Sequence, residues 1–391
     1  MRNLLAVTAA VAFACATSFA ATTYVVTNND NPSGNSATIY SLNTSTGVLT
    51  QAKVLQTGGT GLGGGFFAAY GTSVSENATC IFVIDNGSND VAAFQRTSGT
   101  NFTKTGNYSN SSLNLSGYAG GSLALSPNGK FLYVSYSGSE NIGVWTVGSN
   151  CALTLAQTFV PSLGADVFGA IAVNPGGQAL LIPAADYEAV NIALINKTTG
   201  ELTDFGNVQY DTISQCESEG CFPTGVDFTK DSAVALFGNA TISGPSVLSA
   251  NLSTKGISNP QFWDLTNSAG VGNVNVPFLS AAAYSTGSGP LYLGASGYGP
   301  DGVPSGEITA SFTEKPLNIT VTNSTLITNA DEYQFTLAAT GSTMLTAEYP
   351  NSLNSYHINS DGSITLLQST TDQQANSGGS GLNFVFYPNT R

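Results

Sequence analysis

The side chains best suited to chemistry in this chain are carboxylates that follow short Tyr/Val/Leu-rich runs. Asp85 follows Ile81-Phe82-Val83, Asp186 follows Leu180-Leu181-Ile182, and Glu348 follows Met344-Leu345-Thr346. A carboxylate at the end of a strand can take a proton from water as a general base, or can bind a cation. Asp186 and Glu348 are the candidate catalytic residues, with backbone N–H groups holding the oxyanion. The same short loops carry Tyr187, Glu188, Tyr298 and Tyr349, and longer connections carry Asp166, Phe168 and Tyr333. Aromatic faces of this kind stack on a sugar or a polymer. Asp85, Asp166, Phe168, Tyr187, Glu188, Tyr298, Tyr333 and Tyr349 are therefore the candidate ligand-binding set. Loops also collect polar residues simply because they face water.

Other catalytic groupings are missing. His357 is the one histidine, and it lies in the strand-like stretch NSYHIN, away from these loops. That leaves no Ser-His-Asp unit at the site. Gly58 to Gly65 is glycine-rich but lacks the Lys-Ser/Thr ending of a phosphate loop, and it reads as a flexible loop. No calcium-loop spacing occurs. The reading calls for no metal and no cofactor.

What places the carboxylates is a repeat. Leu123 to Val147 (LALSPNGKFLYVSYSGSENIGVWTV) has the outline strand, tight turn, Tyr/Val-rich strand, Asn-rich loop, strand. The Leu132-Tyr133-Val134 triple has counterparts centred on residues 82, 181, 236, 292 and 345. Turn pairs such as Asn128-Gly129 and Gly176-Gly177 precede them at the same offset and supply the positive φ of a tight hairpin. A period of about 50 residues suits a four-stranded propeller blade. The seventh copy is split: FVFYPNTR (Phe384 to Arg391) matches LALSPNGK, and its next strand is TTYVVTNN from Thr22. The expectation is an all-β, seven-bladed β-propeller over residues 21–391, closed by pairing of the C-terminal strand with the N-terminal strands. It should have little or no helix and no second domain.

Residues 1–20 read as a secretory signal peptide. Arg2 is basic, Leu4 to Ala16 is apolar, and Ser18-Phe19-Ala20 offers small residues for cleavage. Secretion or export to a periplasm follows. A lipid anchor through Cys15 fits less well, because Phe13 stands where a small residue is wanted. Four cysteines remain, and an even count in an exported chain suggests disulfides. Cys80 and Cys151 fall in turns on one face of neighbouring blades, and Cys216 and Cys221 share the stretch CESEGC, so the expected pairs are Cys80–Cys151 and Cys216–Cys221. Zinc is the rival reading, but no histidine is near. Asn-x-Ser/Thr sequons occur at Asn77, Asn107, Asn110, Asn239 and Asn318 among others, and glycosylation stays open.

Composition narrows the partners. Asp and Glu number 24 against 10 Lys and Arg, which argues against nucleic acid and against an anionic membrane surface. Charged residues make up only 9%, so Ser, Thr, Asn and Gly must build the surface. No later apolar run is long enough to span a membrane. A monomer is expected.

The pattern ALSPNGKFLYVS…NIGVW, together with Tyr24-Val25-Val26-Thr27-Asn28, resembles the lactonase-type seven-bladed propellers of the Tyr-Val-Thr-Asn repeat type. That group includes 6-phosphogluconolactonase and carboxymuconate lactonising enzyme. The resemblance implies a fold and, for activity, lactone ring opening or closure. Its enzymes use His and Arg beside a carboxylate on anionic substrates, whereas this chain after residue 20 has only Arg96 and Arg391, neither at the loops. No family catalytic residue carries over. An acidic rim would repel an anionic lactone. Two functions remain: a lactonase-like hydrolase acting on a neutral lactone or sugar-derived ester, or a non-catalytic propeller binding a glycan or a protein partner at the cell surface.

Overall fold

The structure is a computed structural model. It describes residues 23–63, 71–115, 121–163, 171–228, 233–239, 246–253, 256–265, 284–285, 290–295, 305–314, 317–327, 336–340, 342–348, 351–374 and 383–387. The proposed signal peptide, 1–20, lies outside them.

Among the described residues the strands form seven four-stranded sheets. In the first, Asn383–Tyr387 pairs with Thr23–Asn28, followed by Ser36–Leu42 and Leu49–Gln56. The second runs Thr72–Val74, Cys80–Asp85, Asp90–Ser98, Asn101–Tyr108. The third runs Leu123–Leu125, Phe131–Tyr136, Asn141–Val147, Leu153–Phe159. The fourth runs Ala172–Val173, Ala179–Ala184, Ala189–Ile195, Leu202–Gln209. The fifth runs Pro223–Phe228, Val234–Asn239, Ser246–Ser253, Gly256–Asp264. The sixth runs Tyr284–Ser285, Pro290–Ala295, Ser305–Glu314, Leu317–Ile327. The seventh runs Thr336–Thr340, Thr343–Glu348, Ser352–Ile358, Ile364–Thr371. All pairings are antiparallel, and first strands of neighbouring sheets approach one another, Thr72–Val74 touching both Leu123–Leu125 and Asn383–Tyr387. The architecture is an all-β propeller.

The cores lie between the sheets. Leu132, Val134 and Tyr136 pack toward Phe82, Ile84 and Val91 of the second sheet, while Phe131 and Tyr133 pack toward Leu180 and Ile182 of the fourth. The period-two pattern of Phe131–Tyr136 therefore separates two cores, not core from water, and all six residues are buried. Outermost strands alternate buried and exposed instead, as in Leu153–Phe159. Each sheet also shifts register between its third and fourth strands, for example at Ile39/Tyr40, Ala93/Phe94 and Ser355/Tyr356. Such bulges twist an edge strand away from unwanted pairing.

Gly129 and Gly177 adopt positive φ, 68° and 65°, at the two turns expected to need it. Both cysteine pairs are bonded, Cys80–Cys151 and Cys216–Cys221. A six-residue helix, Ser214–Glu219, overlaps the start of the CESEGC segment. No described helix is long and apolar enough to cross a membrane.

Candidate functional site

Turns between second and third strands share a rim with the crossovers to the next sheet. Hydrogen bonds tie the two together. Asn89 Nδ2 donates to the Leu113 carbonyl, and Asn89 Oδ1 accepts from Leu115 N, both at 2.7 Å. Asn86 Oδ1 accepts from Gly121 N at 3.0 Å.

The most developed part joins the first and second sheets. Asp30, in the turn after Thr23–Asn28, is buried with φ 44°. Its carboxylate accepts from Leu62 N and Gly63 N, both at 3.1 Å. Burial nevertheless raises its pKa to about 6; the bonds to Leu62 and Gly63 and the nearby Asn86 amide oppose that rise. Asp85, the last residue of Cys80–Asp85, has no exposed surface. Asn35 Nδ2 donates to Asp85 Oδ1 at 2.7 Å and to Asn28 Oδ1 at 2.9 Å. Asn107 Nδ2 donates to Asp85 Oδ2 at 3.3 Å and also to Asp90. Burial lifts the Asp85 pKa to about 8, helped by the Asp90 charge and opposed by the Asn35 and Thr57 hydrogen bonds.

The segment Gly58–Gly63 lids both carboxylates. A Cβ on Gly59 would lie 2.4 Å from Asp85 Oδ2, and one on Gly61 would lie 2.1 Å from the Asp30 carbonyl carbon. Gly87 N and Ser88 N donate to the Thr60 carbonyl, and Asn35 N donates to the Gly59 carbonyl. Over Gly58–Gly63 the glycine run packs as a cover rather than a free loop, because without side chains the backbone can settle directly on buried acids; Gly64 and Gly65 lie outside the described residues. Asp85, expected among the ligand-binding groups, forms the wall of the rim and presents nothing to solvent. Asp372 is a third buried aspartate, accepting from Thr27 Oγ1 at 3.3 Å; burial, and after it the Asp372 charge, pushes the pKa of the Tyr40 hydroxyl upward.

The fourth sheet presents its acids differently. Ala185–Tyr187 forms a single 3-10 turn, with Glu188 closing it at φ 49°. Asp186 is exposed, and Tyr187 keeps 45% of its surface open. Glu188 is half-buried, and its Oε2 is shielded, with no hydrogen-bond partner among the described residues. A carboxylate, a phenol ring and a second carboxylate thus stand together in one turn.

Glu348 ends Thr343–Glu348, pairing with Ser352 as Asp85 pairs with Asp90. It occupies the register place held by Asp85, by Asn28 and by Asn239 in their own sheets. Asp166, Phe168, Tyr298, Tyr333 and Tyr349 lie outside the described residues. His357, on Ser352–Ile358, is exposed. Arg96 spends its Nε on the Gly99 carbonyl at 2.8 Å, at the opposite rim. Asn35, Asn107 and Asp372 carried no signal in the repeat, because their partners are 22 to 345 residues away. Among the described residues no group of three His, Cys, Asp or Glu could hold a metal ion.

Residues 67–216 match the family model described as lactonase, 7-bladed beta-propeller. The fold is a lactonase-like propeller. No curated protein matches the chain. Solved structures agree on the fold. A provisionally named 6-phosphogluconolactonase from Bacteroides fragilis is 17% identical, with TM-score 0.68, covering 93% of this chain and 98% of its own. A protein of the same provisional name from Bacteroides uniformis is 12% identical, with TM-score 0.70, covering 93% and 99%. The periplasmic gluconolactonase of Pseudomonas aeruginosa is 15% identical, with TM-score 0.63, covering 93% and 98%. At these identities the likeness is one of fold.

Proposed function

We propose that the chain is an exported, monomeric lactonase-like hydrolase that opens a neutral lactone or sugar-derived ester at the propeller mouth. Residues 1–20 serve as the signal peptide. Residues 21–391 form a seven-bladed ring in which the pairing of Asn383–Tyr387 with Thr23–Asn28 supports closure. The observation that carries the activity is an overlap: the stretch matching the lactonase model, 67–216, contains the open turn Asp186–Tyr187–Glu188.

In this reading Asp186 takes a proton from water as its oxygen attacks the lactone carbonyl. Rim N–H groups hold the resulting oxyanion. The ring C–O bond breaks, and the proton passes to the leaving alkoxide. Glu348 is the other candidate base. Tyr187 stacks on the sugar face. Asp166, Phe168, Tyr298, Tyr333 and Tyr349 would complete the pocket. An exposed acidic turn without arginine suits a neutral ring better than a phosphorylated one.

A second reading rests on Asp30 and Asp85. The acids with raised pKa are committed to holding the glycine cover, as expected for a non-catalytic rim that binds a glycan or cell-surface protein. Comparing D186N and E348Q with the parent on neutral lactones separates the two. Loss of turnover in either variant with the fold intact supports the hydrolase, and glycan retention without turnover in the parent supports the binder.

A further inference from the structure

The structure sorts the Asn-x-Ser/Thr sequons by what their amide nitrogens already do. Asn86 is 1% exposed and Asn239 fully buried, the latter donating Nδ2 to Ser246 Oγ at 2.8 Å. Asn107 donates Nδ2 to Asp85 and Asp90. A glycan on Asn86 or Asn239 would collide with the core or empty a buried hydrogen bond, and one on Asn107 would disturb its bonds to the two acids.

Asn43, Asn77 and Asn196 show the reverse. All three are exposed, in the sequons Asn43-Thr44-Ser45, Asn77-Ala78-Thr79 and Asn196-Lys197-Thr198. In each, Oδ1 accepts the backbone N–H of the sequon's own hydroxyl residue, at 3.0 Å from Ser45, 3.1 Å from Thr79 and 2.9 Å from Thr198. Their Nδ2 atoms make no hydrogen bond to the described residues. All three also share one rim. Asn43 and Asn196 lie in turns between third and fourth strands, and Asn77 lies in a turn between first and second. Antiparallel order puts such turns together, opposite the turn that holds Asp186. The Cys80–Cys151 bond, which joins two turns of this kind, marks the same rim and an oxidising folding route.

We propose that Asn43, Asn77 and Asn196 are N-glycosylation acceptors, so that glycans coat the rim opposite the candidate site. The donor is a lipid-linked oligosaccharyl diphosphate on a membrane transferase. The asparagine Nδ2 forms a bond to the sugar C1, the C1–O bond to the diphosphate breaks, the lipid diphosphate leaves with the electron pair, and the amide proton passes to a base of the transferase. Sugar on Asn77 and Asn196 needs the hydroxyls of Thr79 and Thr198, and sugar on Asn43 that of Ser45.

The test uses the full chain secreted with its own leader from a eukaryotic host. Secreted and cell-retained fractions are treated with peptide-N-glycosidase in heavy-oxygen water, which converts each former glycan site to labelled aspartate. Label is expected at Asn43, Asn77 and Asn196 and not at Asn86, Asn107 or Asn239. N43Q, N77Q and N196Q should each lose one step of gel retardation. T79A and T198A should lose the same steps while keeping the asparagine side chain. Unlabelled Asn43, Asn77 and Asn196 in the secreted protein, or label at Asn86 or Asn239, overturns the proposal.

Discussion

Asn35 Nδ2 stands 2.7 Å from Asp85 Oδ1, and the two residues belong to neighbouring sheets. The same nitrogen also reaches Asn28 Oδ1 and the Ile84 carbonyl, so one amide joins the turn of the first sheet to the end of the second strand of the next. Replacing Asn35 by Ala leaves a buried carboxyl without its shortest donor. Such a loss costs about 1–3 kcal/mol. Chemical denaturation of N35A should show a lower midpoint with an unchanged slope.

The buried acids predict how stability follows pH. Burial raises Asp30 from 3.8 to about 6 and Asp85 from 3.8 to about 8. The native state therefore binds these protons more tightly than the unfolded chain does. Their contribution is fully present below the ordinary carboxylate range and is lost as pH rises through about 6 and then about 8. Thermal unfolding from pH 5 to pH 9 should show Tm falling across that window. In D85N the fall between pH 6 and 8 should flatten, and in N35A it should move upward.

Gly59 is a steric requirement of the cover. A methyl there meets Asp85 Oδ2 and Ser88 Oγ, both at 2.4 Å. The carboxylate cannot swing aside, since Asn35 and Asn107 hold its two oxygens. G59A should lose about 1–3 kcal/mol by overpacking. G148A, whose added methyl would have its nearest neighbour at 3.2 Å, should stay close to the parent in the same melts.

The two disulfides should differ in worth. Cys80–Cys151 closes a span of 71 residues, and Cys216–Cys221 one of 5. Loop-closure entropy assigns about 4 kcal/mol to the first and about 2 kcal/mol to the second. Paired Cys→Ala variants, compared by denaturant titration, should rank in that order. Equal losses would show that the short bridge acts through the helix Ser214–Glu219 rather than through chain entropy.

The propeller was legible because hairpin turns and doubly buried second strands are local signals. Gly129 and Gly177 mark turns wherever they fall, and Leu132-Tyr133-Val134 is apolar because sheets cover both of its faces. The cysteine pairs followed once the repeat placed their turns. The rim was harder to read. Asp85 and Asp186 look alike in sequence, each an aspartate after an apolar run, yet one is roofed by Gly59 and the other faces water. The difference lies in the crossover from another sheet, which the local sequence of neither aspartate contains. The glycine run itself was misleading for a related reason. Glycine signals freedom in an isolated chain and close packing when a second backbone lies against it.

Catalysis is proposed at the Asp186–Glu188 turn. Its most direct test is ring opening of a panel of neutral and phosphorylated lactones by the purified chain, followed by proton release, in the parent and in D186N. Catalysis by Asp186 requires turnover of a neutral lactone, little or none of phosphorylated ones, and a loss of roughly 100-fold or more in kcat in D186N. No turnover of any lactone by the parent, or parental kcat in D186N, would contradict it.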